Sequence, residues 1–204
     1  MKVQTLEQLR GLYPPASERS LRKQLSALEP HSRQFIALSP FLVVSSAGAD
    51  GRQDASPRGG APGFVQVQGD HTVLIPDAPG NNRLDTLENI VATGRVGLLF
   101  MVPGVDETLR INGLASLSID PAHLALFADE PRPPRVVIEV QVQELYLHCA
   151  KALMRSKLWQ PGAQVPREAL PSMGEMIRSQ TGQTAPAETQ AEMLRRYQSD
   201  IGPA

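Results

Sequence analysis

The chain has 204 residues, enough for one substantial core, and its 41% hydrophobic and 20% charged content is that of an ordinary soluble globular protein. A formal net charge of −1 gives no overall pull toward nucleic acid or an anionic membrane, although a local basic cluster could still hold one phosphate. Cys149 is the sole cysteine, which excludes an intrachain disulfide and a cysteine-based zinc cluster, and His31, His71, His123 and His148 have no paired spacing that suggests a metal.

Residues 1–20 lack the unbroken apolar run of a signal peptide. No stretch approaches the roughly 20 apolar residues that span a bilayer. A cytoplasmic protein is therefore expected. Residues 1–40 read as helical, with Ser17 as N-cap and Leu21, Leu25 and Leu28 following at helical spacing. A second helix over 31–38 should stop before Pro40. The apolar run at 41–46 reads as a buried strand, and Asp50-Gly51 after it is a hairpin turn signal.

Residues 53–63 are too rich in Gly and Pro to form a regular central strand throughout. Short strands are expected at 63–68 and 72–76, joined at Gly69-Asp70, and Pro79-Gly80 marks a loop. Leu84, Leu87 and Val91 then place an apolar stripe on a helix. The nearly continuous apolar run 95–102 predicts a strand buried on both faces.

A hairpin at 103–106 leads to a strand over 107–119, and Asp120-Pro121 starts a short helix. Residues 135–148 form the longest strand candidate. There Val136, Ile138, Val140 and Val142 alternate with Glu139, Gln141 and Gln143. The C-terminal third is helical, with Leu153, Met176, Ile177, Met193 and Leu194 as its apolar positions and 179–190 as a loop or linker. About six or seven short, mostly antiparallel strands with helices around them suggest a closed or partly closed barrel.

Four segments carry residues suited to chemistry. In an extended Asp54-Ala-Ser-Pro-Arg-Gly-Gly, Asp54, Ser56 and Arg58 project one way. A hydroxyl, a guanidinium and free glycine N–H groups make an anion site. The GxxxxGK[ST] pattern is missing, so this is no nucleotide P-loop. Asn81 or Asn82 is expected to cap the next helix, with Arg83 in its first turn, where a cation opposes the helix dipole unless a phosphate is held there.

In the strand 107–119, Leu109, Ile111, Ala115 and Leu117 share the interior face, while Arg110, Asn112 and Ser116 share the other. On a helix after the long strand, Lys151, Arg155 and Trp159 fall at i, i+4 and i+8, with Lys157 nearby. Cys149 reads as inert core rather than as a reactive thiol.

The stretches DASPRGGAPGFV, LIPDAPGNNRLDTLENI, VGLLFMVPG, ETLRINGLA and HCAKALMRSKLW, in this order over residues 41–159, resemble the pyridoxamine 5′-phosphate oxidase-like FMN-binding split barrels. They are most similar to a branch of probable FMN-dependent enzymes of unknown substrate. The resemblance implies a mainly β protein with flanking helices (α+β), a six-stranded antiparallel split barrel. It implies one domain over 1–204, with N-terminal helices at 1–40, the barrel at 41–150 and C-terminal helices at 151–204. It also implies a homodimer with FMN at the subunit interface and a small-molecule substrate.

By position, Ser56 and Arg58 then line the flavin cleft, and Arg110 and Asn112 face the cofactor from the next strand. The family's Ser-x-Lys phosphate pair falls on Asn81 and Arg83, beside Asn82, which keeps the cation and replaces the hydroxyl by an amide. Lys151, Arg155, Lys157 and Trp159 occupy the region that can reach a flavin across the interface. An Arg or Lys near N1 and the C2 carbonyl would stabilise a reduced ring. The substrate-phosphate clamp of pyridoxamine phosphate oxidation is not matched, and fold does not fix activity. A deazaflavin-dependent reductase keeps the same barrel. A non-catalytic flavin or haem carrier or sensor is the alternative of a different class, with His148 or His71 as the axial ligand of a haem.

Overall fold

The computed structural model describes residues 2–201. Three short helices precede the sheet: α1 (Leu6–Gly11), α2 (Glu18–Arg22) and α3 (Pro30–Leu38). Ser17 caps α2 as expected, but the helix ends at Arg22, so Leu21, Leu25 and Leu28 share no helical face. Leu25 instead forms an antiparallel bridge with Leu145, and Leu28 is the buried one of the three. A free strand edge offers Leu25 backbone partners that a five-residue helix could not supply. α3 starts from a capping box between Glu29 and Ser32, with Pro30 at its first position.

The sheet contains β1 (Phe41–Ala47), β2 (Gln53–Gly59), β3 (Gln66–Gln68) and β4 (Thr72–Asp77). Helix α4 (Asp85–Thr93) follows, then β5 (Arg95–Met101), β6 (Thr108–Ser118), α5 (Pro121–Ala125) and β7 (Val136–His148). All pairings are antiparallel, in the order β2-β1-β5-β6-β7-β4-β3. Seven strands in an open sheet replace the expected six-stranded barrel. Closure fails because the terminal strands β2 and β3 do not pair with each other. The Gly/Pro-rich segment does form a strand, but at the sheet edge, where Pro57 removes no essential ladder bond.

Cross-strand partners project to one face, so register identifies the interior. The row Ser56, Val44, Leu98 and Ile111 points inward, as does the row Arg58, Leu42, Phe100 and Leu109. These rows join Val73, Ile75, Ile138 and Val140 in the main core. The strand expected to be buried on both faces is buried on one: Val96, Leu98 and Phe100 are covered, while Gly97, Leu99 and Met101 are half-buried. Leu109, Ile111 and Ala115 fill the interior as expected, and Leu117 is only half-buried.

One irregularity resets the pattern. Asn112 lies opposite Glu144, yet Gly113 lies opposite Val142, so Gln143 is an extra residue in β7. A Cβ on Gly113 would meet the Gln141 carbonyl oxygen at 2.2 Å, so only glycine fits at this crossing. Before the bulge, even-numbered β7 residues face the core; after it Leu145 does, and Glu144, Tyr146 and His148 turn outward. Beyond Gln141, which pairs with Thr72 at the start of β4, Leu25 occupies the open edge of β7 at Leu145.

After β7 come α6 (Lys151–Ser156), two single-turn 3₁₀ segments, α7 (Met173–Thr181) and α8 (Gln190–Ile201). α7 begins with a Ser172/Glu175 capping box, and Thr189 and Glu192 make the same reciprocal bonds at α8. α7 therefore extends into the segment expected to be a linker. Among the described residues no helix is long and apolar enough to cross a membrane.

Candidate functional site

The sheet curls until inward side chains of β2 and β4, which are not hydrogen-bonded neighbours, meet across the open seam. Arg58 Nη2 donates to Asp77 Oδ1 at 3.1 Å, and the two side chains are 17% and 20% exposed. Arg58 Nη1 donates to Ser56 Oγ at 2.6 Å and to the Pro57 carbonyl at 3.0 Å. Arg58 Nε is buried and has no partner at all. A buried guanidinium N–H without an acceptor is costly, and a ligand oxygen is one way to satisfy it. Burial pushes the Asp77 carboxyl above its ordinary value, and the Arg58 charge pulls it back in part.

A cavity of about 580 Å³ opens beside this pair. Its lining includes Ser56, Arg58, Asn81, Asn82 and Arg83, so five of the residues singled out from the sequence converge there. Asp54, Gly59, Gly60, Thr86, Arg132 and Arg135 also line it. The local geometry of the 81–84 loop differs from expectation. Leu84, not Asn81 or Asn82, is the N-cap of α4, with φ of 61°, and no side chain caps the helix. Asn81 Oδ1 accepts from the Arg83 backbone N–H at 3.1 Å, and Asn82 also has positive φ.

Arg83 therefore precedes the helix and does not oppose the dipole from within its first turn. Its Nε donates to Asp85 Oδ2 at 2.8 Å, and it is 74% exposed. The buried face of α4 is Thr86, Leu87 and Ile90; Leu84 and Val91 point outward, against the expected stripe. Thr86 donates to Asp54, and Asn89 to Ser46, which fixes α4 over the ends of β1 and β2.

Arg110 and Asn112 lie on the opposite face of the sheet. Their rows run Pro57, Val43, Leu99, Arg110, Tyr146 and Ala55, Ser45, Gly97, Asn112, Glu144. Arg110 is held, not free: its Nη2 donates to Glu144 Oε1 at 3.1 Å, and its guanidinium lies 4.4 Å from the Tyr146 ring centroid. Asn112 Nδ2 donates to the same Oε1 at 2.6 Å, and Gln24 Nε2 reaches Oε2 at 2.6 Å. Lys23 Nζ also lies over the Tyr146 ring, 4.8 Å from its centroid. The His148 ring lies tilted against that of Tyr146, with centroids 4.7 Å apart, and burial together with Arg110 and Lys23 lowers its pKa.

The C-terminal basic residues lie outside the cavity. α6 ends at Ser156, so Trp159 does not continue the face of Lys151 and Arg155; its Nε1 donates instead to the Val105 carbonyl at 2.9 Å. Lys151, Arg155 and Lys157 are exposed, and Lys157 closes the helix with φ of 55°. Cys149 is exposed, contrary to the core position expected, because it falls just past the end of β7. His71 Nδ1 lies 3.1 Å from the Ser26 carbonyl. Among the described residues no cluster of three or more His, Cys, Asp or Glu could hold a metal ion.

Sequence reasoning missed Asp77, Glu144, Tyr146, Lys23 and Gln24. Asp77 was within reach, since the Val73, Ile75 alternation carries it inward, where an acid needs a cation. Glu144 was not, because strict alternation places it on the core face, and only the Gln143 bulge turns it out.

The family model for pyridoxamine 5′-phosphate oxidase matches residues 28–149. No curated protein matches the chain. Among solved structures, HupZ of Group A Streptococcus is 15% identical with a TM-score of 0.50, over 59% of this chain and 93% of that one. A putative pyridoxamine 5′-phosphate oxidase from Lactobacillus delbrueckii is 18% identical with a TM-score of 0.48, over 61% and 98%. A pyridoxamine 5′-phosphate oxidase-related, FMN binding protein from Nostoc punctiforme is 12% identical with a TM-score of 0.41, over 57% and 81%. At these identities the likeness concerns the fold.

Proposed function

Because the chain belongs to the pyridoxamine 5′-phosphate oxidase family, we propose that it binds FMN as a dimer and acts as an FMN-dependent oxidoreductase on a small organic substrate. The observation that carries this reading is Arg58: a guanidinium on a cavity wall with two nitrogens paired and a buried Nε lacking an acceptor. Phosphate is a matched partner for such a group. The cavity, at about 580 Å³, falls within the usual range for small-molecule sites, roughly 300–1,000 Å³. Ser56, Asn81, Asn82 and Arg83 add a hydroxyl, amides and a second cation to the lining of the same cavity. The donor set fits the phosphate end of a flavin nucleotide.

Division of the polar residues between two faces supports the dimer. Ser56 and Arg58 face inward, whereas Arg110 and Asn112 face outward, so one sheet does not bring both sets to one small molecule. Two copies, the inner-face cavity of one meeting the outer face of the other, do bring them together. Lys151, Arg155 and Lys157, exposed after β7, are further cations that a second copy can approach. FMN supplies two-electron chemistry at its ring. The chain's own part is then to grip the phosphate with Arg58 and Arg83, orient the ring, and hold cationic Arg110 where negative charge collects on reduction. The same proposal takes residues 1–204 as a single domain.

Absorption spectroscopy of purified protein, with mass analysis of the extracted cofactor and titration by FMN and riboflavin, tests the reading. It predicts about one FMN per subunit and clear preference for FMN over riboflavin. Protein that neither carries nor binds FMN, or that binds a deazaflavin in its place, would overturn it.

A further inference from the structure

Glu144 stands where the β7 bulge has reset the strand. Without Gln143 as the extra residue, Glu144 would point into an apolar core; with it, the carboxylate lies opposite Asn112 on the outer face. Both of its oxygens are engaged. Oε1 accepts from Arg110 at 3.1 Å and Asn112 at 2.6 Å, and Oε2 accepts from Gln24 at 2.6 Å. Arg110 is further held by Tyr146, whose ring centroid lies 4.4 Å from its guanidinium. The backbone bonds between Leu25 and Leu145, at 2.9 and 2.8 Å, hold the segment that brings Gln24 and Lys23 to this cluster.

We infer that Glu144 is a positioning residue that aims Arg110 and Asn112 together and offsets the Arg110 charge, thereby setting how strongly the β6 outer face favours a reduced, anionic ring. This rests on the flavin reading above. An isolated surface ion pair contributes little; here one carboxylate joins two β6 residues and the N-terminal segment, and geometry as well as charge depends on it. Lys23 and His148 are the other titratable or charged groups against Tyr146, and neither provides a negative charge to replace that of Glu144.

The test uses full-length protein and FMN, comparing wild type with Glu144→Gln, Glu144→Asp and Arg110→Met. Gln keeps the shape of the side chain, and the Gln24 amide can turn to maintain its hydrogen bond. Affinities for oxidised and reduced FMN are measured by titration, with thermal melting as a check on folding. Glu144→Gln is expected to raise the preference for reduced over oxidised FMN about tenfold, equivalent to a potential about 30 mV higher for a two-electron couple. Arg110→Met should move the preference the opposite way, and Glu144→Asp, which retains the charge, should stay near wild type. If wild type and Glu144→Gln both bind FMN with the same preference, the role of Glu144 is overturned while the flavin reading stands. If wild type binds no FMN in either state, both fall together.

Discussion

Replacing Arg58 by Met separates phosphate recognition from packing. Methionine fills much of the same space, so the principal losses are the Asp77 ion pair, the bonds to Ser56 and the Pro57 carbonyl, and the orphan Nε donor. One hydrogen bond to a charged group contributes about 1.5–3 kcal/mol, which is about 10- to 150-fold in dissociation constant. FMN should weaken by at least that range, while riboflavin, which has no phosphate, should change less than about threefold. Arg83→Ala should cost FMN less than Arg58→Met, since Arg83 is 74% exposed and already paired with Asp85. Arg58→Met also strands a carboxyl whose pKa burial has already raised.

Without Arg58 that pKa rises further. Because the folded value then lies still further above the unfolded one, the stability that Asp77 contributes is fully present below the unfolded value and is lost as pH rises through the folded value. Asp77→Asn in the same chain should restore stability at neutral pH without restoring FMN binding. Fluorescence titration with both flavins, plus melting curves from pH 4 to 8, reads all of this. Equal losses for FMN and riboflavin, or a larger loss from Arg83→Ala, would refute the assignment of the phosphate to Arg58.

Arg110→Ala should raise the pKa of His148, because Arg110 is one of the charges that lower it; NMR titration of the ring should show this, and an unchanged midpoint would remove Arg110 from its surroundings. In the wild type the lowered value means His148 contributes stability above the unfolded pKa that is lost as pH falls through the folded one. His148→Gln should flatten that acid-side slope in denaturant melts. Gly113→Ala sets a Cβ 2.2 Å from the Gln141 carbonyl and should destabilise by about 1–3 kcal/mol by chemical denaturation; a loss below about 0.5 kcal/mol would show that the bulge tolerates a side chain.

Local chemistry made most strands legible. The Gly69-Asp70 turn, the Ser17 cap and the apolar alternation of 107–119 all appear where residue types place them. What escaped was set by tertiary partners. The short helix ending at Arg22 yields to an open strand edge that takes Leu25, and the 53–59 segment becomes a strand because it lies at the sheet edge. The cap of α4 fell on Leu84 since the 81–84 loop adopts left-handed backbone at both Asn82 and Leu84, which side-chain preferences do not foretell. The candidate site divided similarly: residues of the cavity wall were visible as motifs, whereas the division between two faces needed the register.

That division leads to the most direct test, a count of tight FMN sites in mixed dimers. One parent carries Arg58→Met, and the other carries Arg110→Glu, which sets a like charge against a reduced ring; each alone should bind reduced FMN, the form used for the count, weakly. If a flavin is shared between copies, the mixed dimer regains one intact site, with Arg58 from one subunit and Arg110 from the other, and binds one FMN tightly. If every mixed dimer binds as weakly as its parents, or if the Arg110→Glu parent binds as tightly as wild type, a cofactor shared across two faces is contradicted.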